Sequence, residues 1–155
     1  MGSSRYHCPV LLYHSQNVAG NDYVSNDHVA LKEDLRLIHQ LGLKIIPLNW
    51  LVDWLLGKCE LDLEKCVCIS FDDGVDADVH DLDFPGFGQQ RAFVNIMSDF
   101  HDEFGPGAQP MLHATSFVIA SHEARAVVDK HSLFGKGWMN DDWWGQDHDL
   151  SLIHI

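Results

Sequence analysis

The most constraining stretch of this chain is Glu64-Lys65-Cys66-Val67-Cys68-Ile69-Ser70-Phe71, which runs straight into Asp72-Asp73-Gly74. It is short, mostly apolar, rich in β-branched and aromatic residues, and bounded by a turn signal, the pattern of a buried strand. Two adjacent carboxylates at the end of such a strand repel each other and lose hydration unless something holds them charged. Neighbouring strand side chains point to opposite faces, so Asp72 and Asp73 serve one site only where the strand breaks. Gly74 is expected to supply that break. The bland alternative is a solvated Asp-Asp-Gly turn, a common arrangement.

Around this strand the chain alternates between strand and helix. Pro9 to His14 reads as a first strand. Ser25-Asn26-Asp27 offers helix caps, Leu31, Leu35, Ile38 and Leu41 follow at helical spacing, and Gly42 sits where a helix stops. Lys44 to Leu48 reads as a second strand, and Trp50 to Leu56 as a short helix ended by Gly57. After a loop containing Pro85-Gly86-Phe87-Gly88, the stripe Phe93, Ile96, Met97, Phe100 and Phe104 predicts a core-facing helix stopped by Gly105-Pro106. Ala114 to Ala120 reads as a fourth strand and 122–131 as a further helix. This alternation implies an α/β fold with a parallel sheet and crossover helices, open or closed into a barrel. In such folds functional residues collect at the carboxyl ends of the strands, where Asp72 and Asp73 lie.

Composition narrows the partners. A chain of 155 residues fits one domain, and 46% hydrophobic residues with five Trp and eight Phe suit a packed core. A net charge of −13 leaves no basic patch for nucleic acid and disfavours an anionic membrane surface, while a neutral or cationic substrate such as a sugar or amino sugar stays open. The apolar stretch from Val10 to Tyr13 is too short for a signal core or a membrane span. The Met1-Gly2 start lacks the full myristoylation pattern, because position 6 is Tyr. Cys8, Cys59, Cys66 and Cys68 form no disulfide-scaffold pattern, so a reduced, cytoplasmic setting is the default expectation; Cys66 and Cys68 share a face of their strand as small core residues.

Several chemistries place carboxylates at a strand end, and spacing separates them. A haloacid-type phosphohydrolase needs Asp-x-Asp, but position 74 is Gly. A phosphoacceptor receiver needs an Asp ending a later strand, and Ala114 to Ser121 contains none. The acidic run Asp76, Asp78, His80, Asp81 and Asp83 fails as an EF-hand loop, since Asp81 falls at the glycine position and Phe87 at the glutamate position. It reads as a solvated acidic loop. Neither a phosphate-binding G-x-x-x-x-G-K loop nor a G-x-S-x-G elbow occurs. Metal-assisted hydrolysis remains, with one Asp on the metal and the other taking a proton from water.

The pentapeptide Ser70-Phe71-Asp72-Asp73-Gly74 after an apolar strand resembles the first motif of the polysaccharide deacetylases, the NodB-homology domain of carbohydrate esterase family four. The flanks agree in order. Pro9-Val10-Leu11-Leu12-Tyr13-His14 is similar to the family's upstream Tyr-His strand, and Leu31 to Leu48 to its lead-in. His113-Ala114-Thr115-Ser116-Phe117-Val118 is similar to its following strand. The resemblance implies a distorted β/α barrel that removes acetyl groups from N-acetylated sugars with a divalent metal, usually zinc. It makes Asp72 the general base and Asp73 a metal ligand. Residues 1–60 would be lead-in β/α units and 61–149 the first-motif half of the domain.

One departure bears on activity. The family's second motif, H-[ST]-x-x-H, supplies two histidine ligands, yet no two of the eleven histidines here lie four apart. Catalytic zinc sites use three protein ligands, so Asp73 alone is not expected to hold zinc well. The expectation is an amino-terminal fragment, inactive by itself, in which residues 150–155 are either a strand leading to the missing motif or a non-native tail. The partially built barrel is expected to expose sheet edges and to be poorly soluble. His14 ends a strand and could face the site, although most strand-end histidines satisfy local hydrogen bonds. His148 and His154 are poor metal candidates. The alternative function is a non-catalytic pseudoenzyme that binds glycans through its Trp and Tyr side chains, although Trp138, Trp143 and Trp144 are as easily explained as buried packing.

Overall fold

The computed structural model describes residues 7–121, 123 and 124. Its elements run β1 (Val10–Tyr13), α1 (Asp27–Gln40), β2 (Lys44–Ile45), α2 (Leu48–Leu55), β3 (Cys66–Asp73), a 3-10 turn at Asp76–Asp78, β4 (Leu82–Phe84), β5 (Gly88–Gln90), α3 (Phe93–Phe104) and β6 (Thr115–Val118). This is a mixed α/β fold whose main sheet is parallel throughout, with β3 at its centre.

Backbone hydrogen bonds fix the strand order. Cys68 N donates to Pro9 O, toward β1, whereas Val67 O accepts from Ile46 N and Asp73 O from Ile119 N. Alternate residues of a strand direct their backbone groups to opposite edges. Hence β1 takes one edge of β3, while β2 and then β6 follow each other along the other. The result brings the ends of β1, β3 and β6 together at one end of the sheet.

The two faces of the sheet differ. Tyr13, Val67, Ile69 and Phe71 pack against Leu31, Leu35 and Ile38 of α1 and Phe93, Ile96 and Phe100 of α3. This is the main core, and the apolar stripes of both helices supply it. On the other face Cys66 and Cys68 are covered by Ile46, Leu51 and Leu63 at the start of β3. Toward the strand ends that cover stops: Leu12 and Phe117, in register with Ser70 and Asp72, are 51% and 52% exposed.

Most element boundaries match the expectations, with informative differences. Asn26 is the cap of α1, accepting from His28 N at 2.9 Å and Val29 N at 3.4 Å. Gly42 has φ +65, which lets Leu43 N reach back to Ile38 O at 3.0 Å. β2 is two residues long rather than running to Leu48, because Pro47 has no N–H for the ladder and instead leads into α2. The open edge of β2 is satisfied by one side chain: Gln109 Nε2 donates to Leu43 O at 2.8 Å, and its Oε1 accepts from Ile45 N at 2.9 Å. The loop around Pro85–Gly88 is the tip of an antiparallel hairpin, β4–β5. β6 falls within the expected 114–120. The expected helix at 122–131 lies outside the described residues apart from 123 and 124, as do Trp138, Trp143, Trp144, His148, His154 and the 150–155 tail. Among the described residues no helix is long and apolar enough to cross a membrane.

Candidate active site

Both carboxylates lie at the carboxyl end of the central strand, partly buried. The break in β3 starts one residue earlier than the sequence suggests. Asp73 itself has φ +74, and Gly74 follows at +62. The left-handed region is unfavourable for a side-chain-bearing residue, and Asp is among the few that tolerate it. Gly74 is required twice over: a Cβ there would lie 2.7 Å from Val118 Cγ1 and 2.9 Å from Cγ2 on β6. Strict alternation of faces therefore ends at Asp73, and both acids meet the same segment, the loop that leaves β1. His14 Nε2 stands 3.8 Å from Asp72 Oδ2. Gln16 Nε2 donates to Asp73 Oδ2.

The β1–α1 loop is firmly built. Tyr13 packs edge-on against Phe71 and Phe93, and its hydroxyl donates to Asp34 Oδ2 at 2.6 Å. Burial, reinforced by Asp34, pushes the Tyr13 hydroxyl well above its usual pKa, so it remains a donor. His14 N donates to Asp27 Oδ2 at 2.7 Å, and Asn17 Nδ2 to Asp27 Oδ1 at 2.7 Å. The fully buried Ser15 donates its hydroxyl to Asp78 Oδ1 at 2.5 Å. The His28 imidazole, from the first turn of α1, bridges Ser15 O and Arg91 O, each at 2.7 Å. Burial lowers its pKa against the opposing pull of those two carbonyls.

The acidic run after the motif is only partly a solvated loop: His80 and Asp83 are exposed, but Asp78 and Asp81 are held by partners. Asp78 is buried beneath the site, holding Ser15 in place. Asp81 caps α3 from outside the helix: its Oδ1 accepts from Ala92 N and Asn95 Nδ2, each at 2.8 Å, and its Oδ2 accepts from Arg91 Nη1 at 2.6 Å. The Asn95 and Ala92 donors, with Arg91, hold its carboxyl down at about 2. Ala92 has no capping side chain of its own, so an acid from the preceding segment supplies one.

The structure thus brings together Asp72, Asp73 and His14, and adds Gln16, Ser15 and Asp78. The last three carry no periodic signal. The hint was positional: a polar run, His14-Ser15-Gln16-Asn17, directly after an apolar strand of a parallel sheet. For a divalent metal, the Asp73 carboxylate is one oxygen donor, and the Gln16 amide meets it through Nε2, which cannot ligate a cation. Among the described residues no three His, Cys, Asp or Glu side chains converge on a common point. A complete zinc site at Asp73 would need donors beyond them. No protein-family model matches this chain, and no curated protein or solved structure matches it.

Proposed function

We propose that this chain forms the first-motif half of a metal-dependent hydrolase that removes N-acetyl groups from an acetylated sugar or polysaccharide, in the manner of the polysaccharide deacetylases. The observation that carries the reading is the convergence at one strand end. Asp72 and Asp73 leave the central parallel strand together, and a rigid loop from the neighbouring strand meets both. A solvated Asp-Asp-Gly turn has no need of a buried glutamine on one acid or of a histidine beside the other.

In this reading Asp72 is the general base. It is partly exposed, so it can reach a water molecule, and His14 Nε2 stands 3.8 Å from its Oδ2, beyond hydrogen-bond reach. Asp73, turned out of the pleat by its left-handed backbone, is the acid that holds the metal, with the remaining donors outside the described residues. When bound, the metal supplies polarisation of the amide carbonyl. A distorted β/α barrel is compatible with the strand ends, although Leu51 of α2 covers the start of β3 on the face that closure would enclose. Helices α1 and α3 cover the outer face, while the exposed Leu12 and Phe117 lie on the face that barrel closure would enclose.

The test is acetate release from N-acetylglucosamine oligomers by the open reading frame that carries this chain. Asp72→Asn should lower kcat by roughly 10²–10⁴ with little change in fold. Asp73→Asn should abolish metal retention. Full activity in either variant would remove that residue from its role.

A further inference from the structure

We infer that Cys8 and Cys68 are a disulfide-forming pair, a site of reversible thiol oxidation that ties the segment entering β1 to the central strand. The inference is independent of the roles given to Asp72 and Asp73. The two Sγ atoms stand 3.9 Å apart, although the residues are 60 positions apart in the chain. Backbone pairing holds them there: Cys68 N donates to Pro9 O at 2.9 Å, and Val10 lies in register with Cys68. The other cysteines are placed differently. The Cys66 thiol is directed at Asp62 O at 3.4 Å, with Glu64 O at 3.8 Å, and Cys59 is exposed. Cys8 and Cys68 are left facing each other. A disulfide needs its sulfurs about 2 Å apart. The remaining approach falls on Cys8, which precedes the first ladder residue of β1 and is not held by the sheet.

The two thiols are unequal, which orders the chemistry. Cys68 is fully buried, and burial pushes its thiol up to about 12. Cys8 is only partly covered; burial raises its thiol too, but the contact with Cys68 pulls it back down. Thiolates are the attacking species, so Cys8 acts first. Its Sγ attacks one sulfur of a low-molecular-weight disulfide; that S–S bond breaks, and one small thiol leaves with a proton. A mixed disulfide remains on Cys8. Cys68 Sγ then attacks Cys8 Sγ, the mixed bond breaks, and the second small thiol departs with the Cys68 proton. The two cysteines have lost two hydrogens and two electrons, and the small disulfide has gained them. The new bond closes a loop that holds β1, α1, β2 and α2, and fastens β1 to the strand that carries Asp72 and Asp73. Closing so long a loop removes freedom mainly from the unfolded chain.

The experiment exposes the folded Cys59→Ser protein to oxidised glutathione, traps the remaining thiols with N-ethylmaleimide, and maps the peptides by mass spectrometry. A Cys8–Cys68 cross-link within one molecule, reversed by dithiothreitol, is expected, with a thermal unfolding midpoint several degrees above that of the reduced protein. Cys68→Ala should stop at the mixed disulfide on Cys8, and Cys8→Ala should leave Cys68 unmodified. A cross-link from Cys8 to Cys66, links only between molecules, or both thiols still free after prolonged exposure would overturn the inference. A midpoint that falls on oxidation would overturn it as well, since the bond would then form only by distorting the sheet. Should either alanine variant not fold, the peptide map of the Cys59→Ser protein decides alone.

Discussion

Gly74→Ala is the sharpest probe of how the strand end is made. At φ +62 an alanine pays a left-handed backbone cost of roughly 1–2 kcal/mol. Its Cβ would also lie 2.7 and 2.9 Å from the two Val118 methyl carbons and 3.0 Å from Val118 Cβ. Forcing β6 away from β3 resembles overpacking, about 1–3 kcal/mol. The sum is a loss of about 2–5 kcal/mol, a large share of the stability of a small domain. Val118→Ala removes both methyl clashes but leaves the backbone term. A double-mutant cycle should therefore show a favourable coupling of about 1–2 kcal/mol, with the left-handed cost persisting in the double variant. Urea unfolding of the four proteins, read as midpoints with m-values checked for constancy, measures this. A Gly74→Ala penalty below about 0.5 kcal/mol, or a coupling of zero, would refute the packing of β6 against this turn.

Two further predictions concern acid. The folded-state pKa of Asp81 is depressed from 3.8 to about 2, so the unfolded chain binds its proton first, and stability falls as pH drops through that window. Asp81→Asn should cost about 1–2 kcal/mol at pH 7, after allowance for its partial exposure, and should flatten the unfolding curve below pH 4; an unchanged acid limb contradicts the cap. His28 is held below its ordinary 6.5, so the folded state takes its proton last, and stability declines as pH falls from about 6.5 downward. Titration of the His28 ring by NMR should give a value under 6.5, and one above it would contradict the dominance of burial.

Much of the frame was legible from pattern. The apolar run into Asp72-Asp73, the stripe of α1 with its Asn26 cap, and the stripe of α3 each carry a period that burial imposes. Where backbone chemistry overrode pattern, the reading slipped. Pro47 ended β2 after Ile45, and Asp73 rather than Gly74 began the break. The acidic segment misled for a different reason. Asp78 and Asp81 look like solvent-facing residues, but each is held by a partner, Ser15 for one and the start of α3 for the other. Such long-range pairings of polar side chains leave no trace in local spacing. Gln16 escaped notice for the same cause, since its partner Asp73 lies 57 positions along the chain.

The most direct test of the central claim is acetate release from N-acetylglucosamine oligomers by the open reading frame carrying this chain, run beside its Asp72→Asn variant at matched metal loading. The account predicts metal-dependent release in the parent and a fall of roughly 10²–10⁴ in kcat in the variant, with similar KM. Equal turnover by the two proteins, or no release from any N-acetylated sugar by a folded, metal-loaded parent, would contradict it.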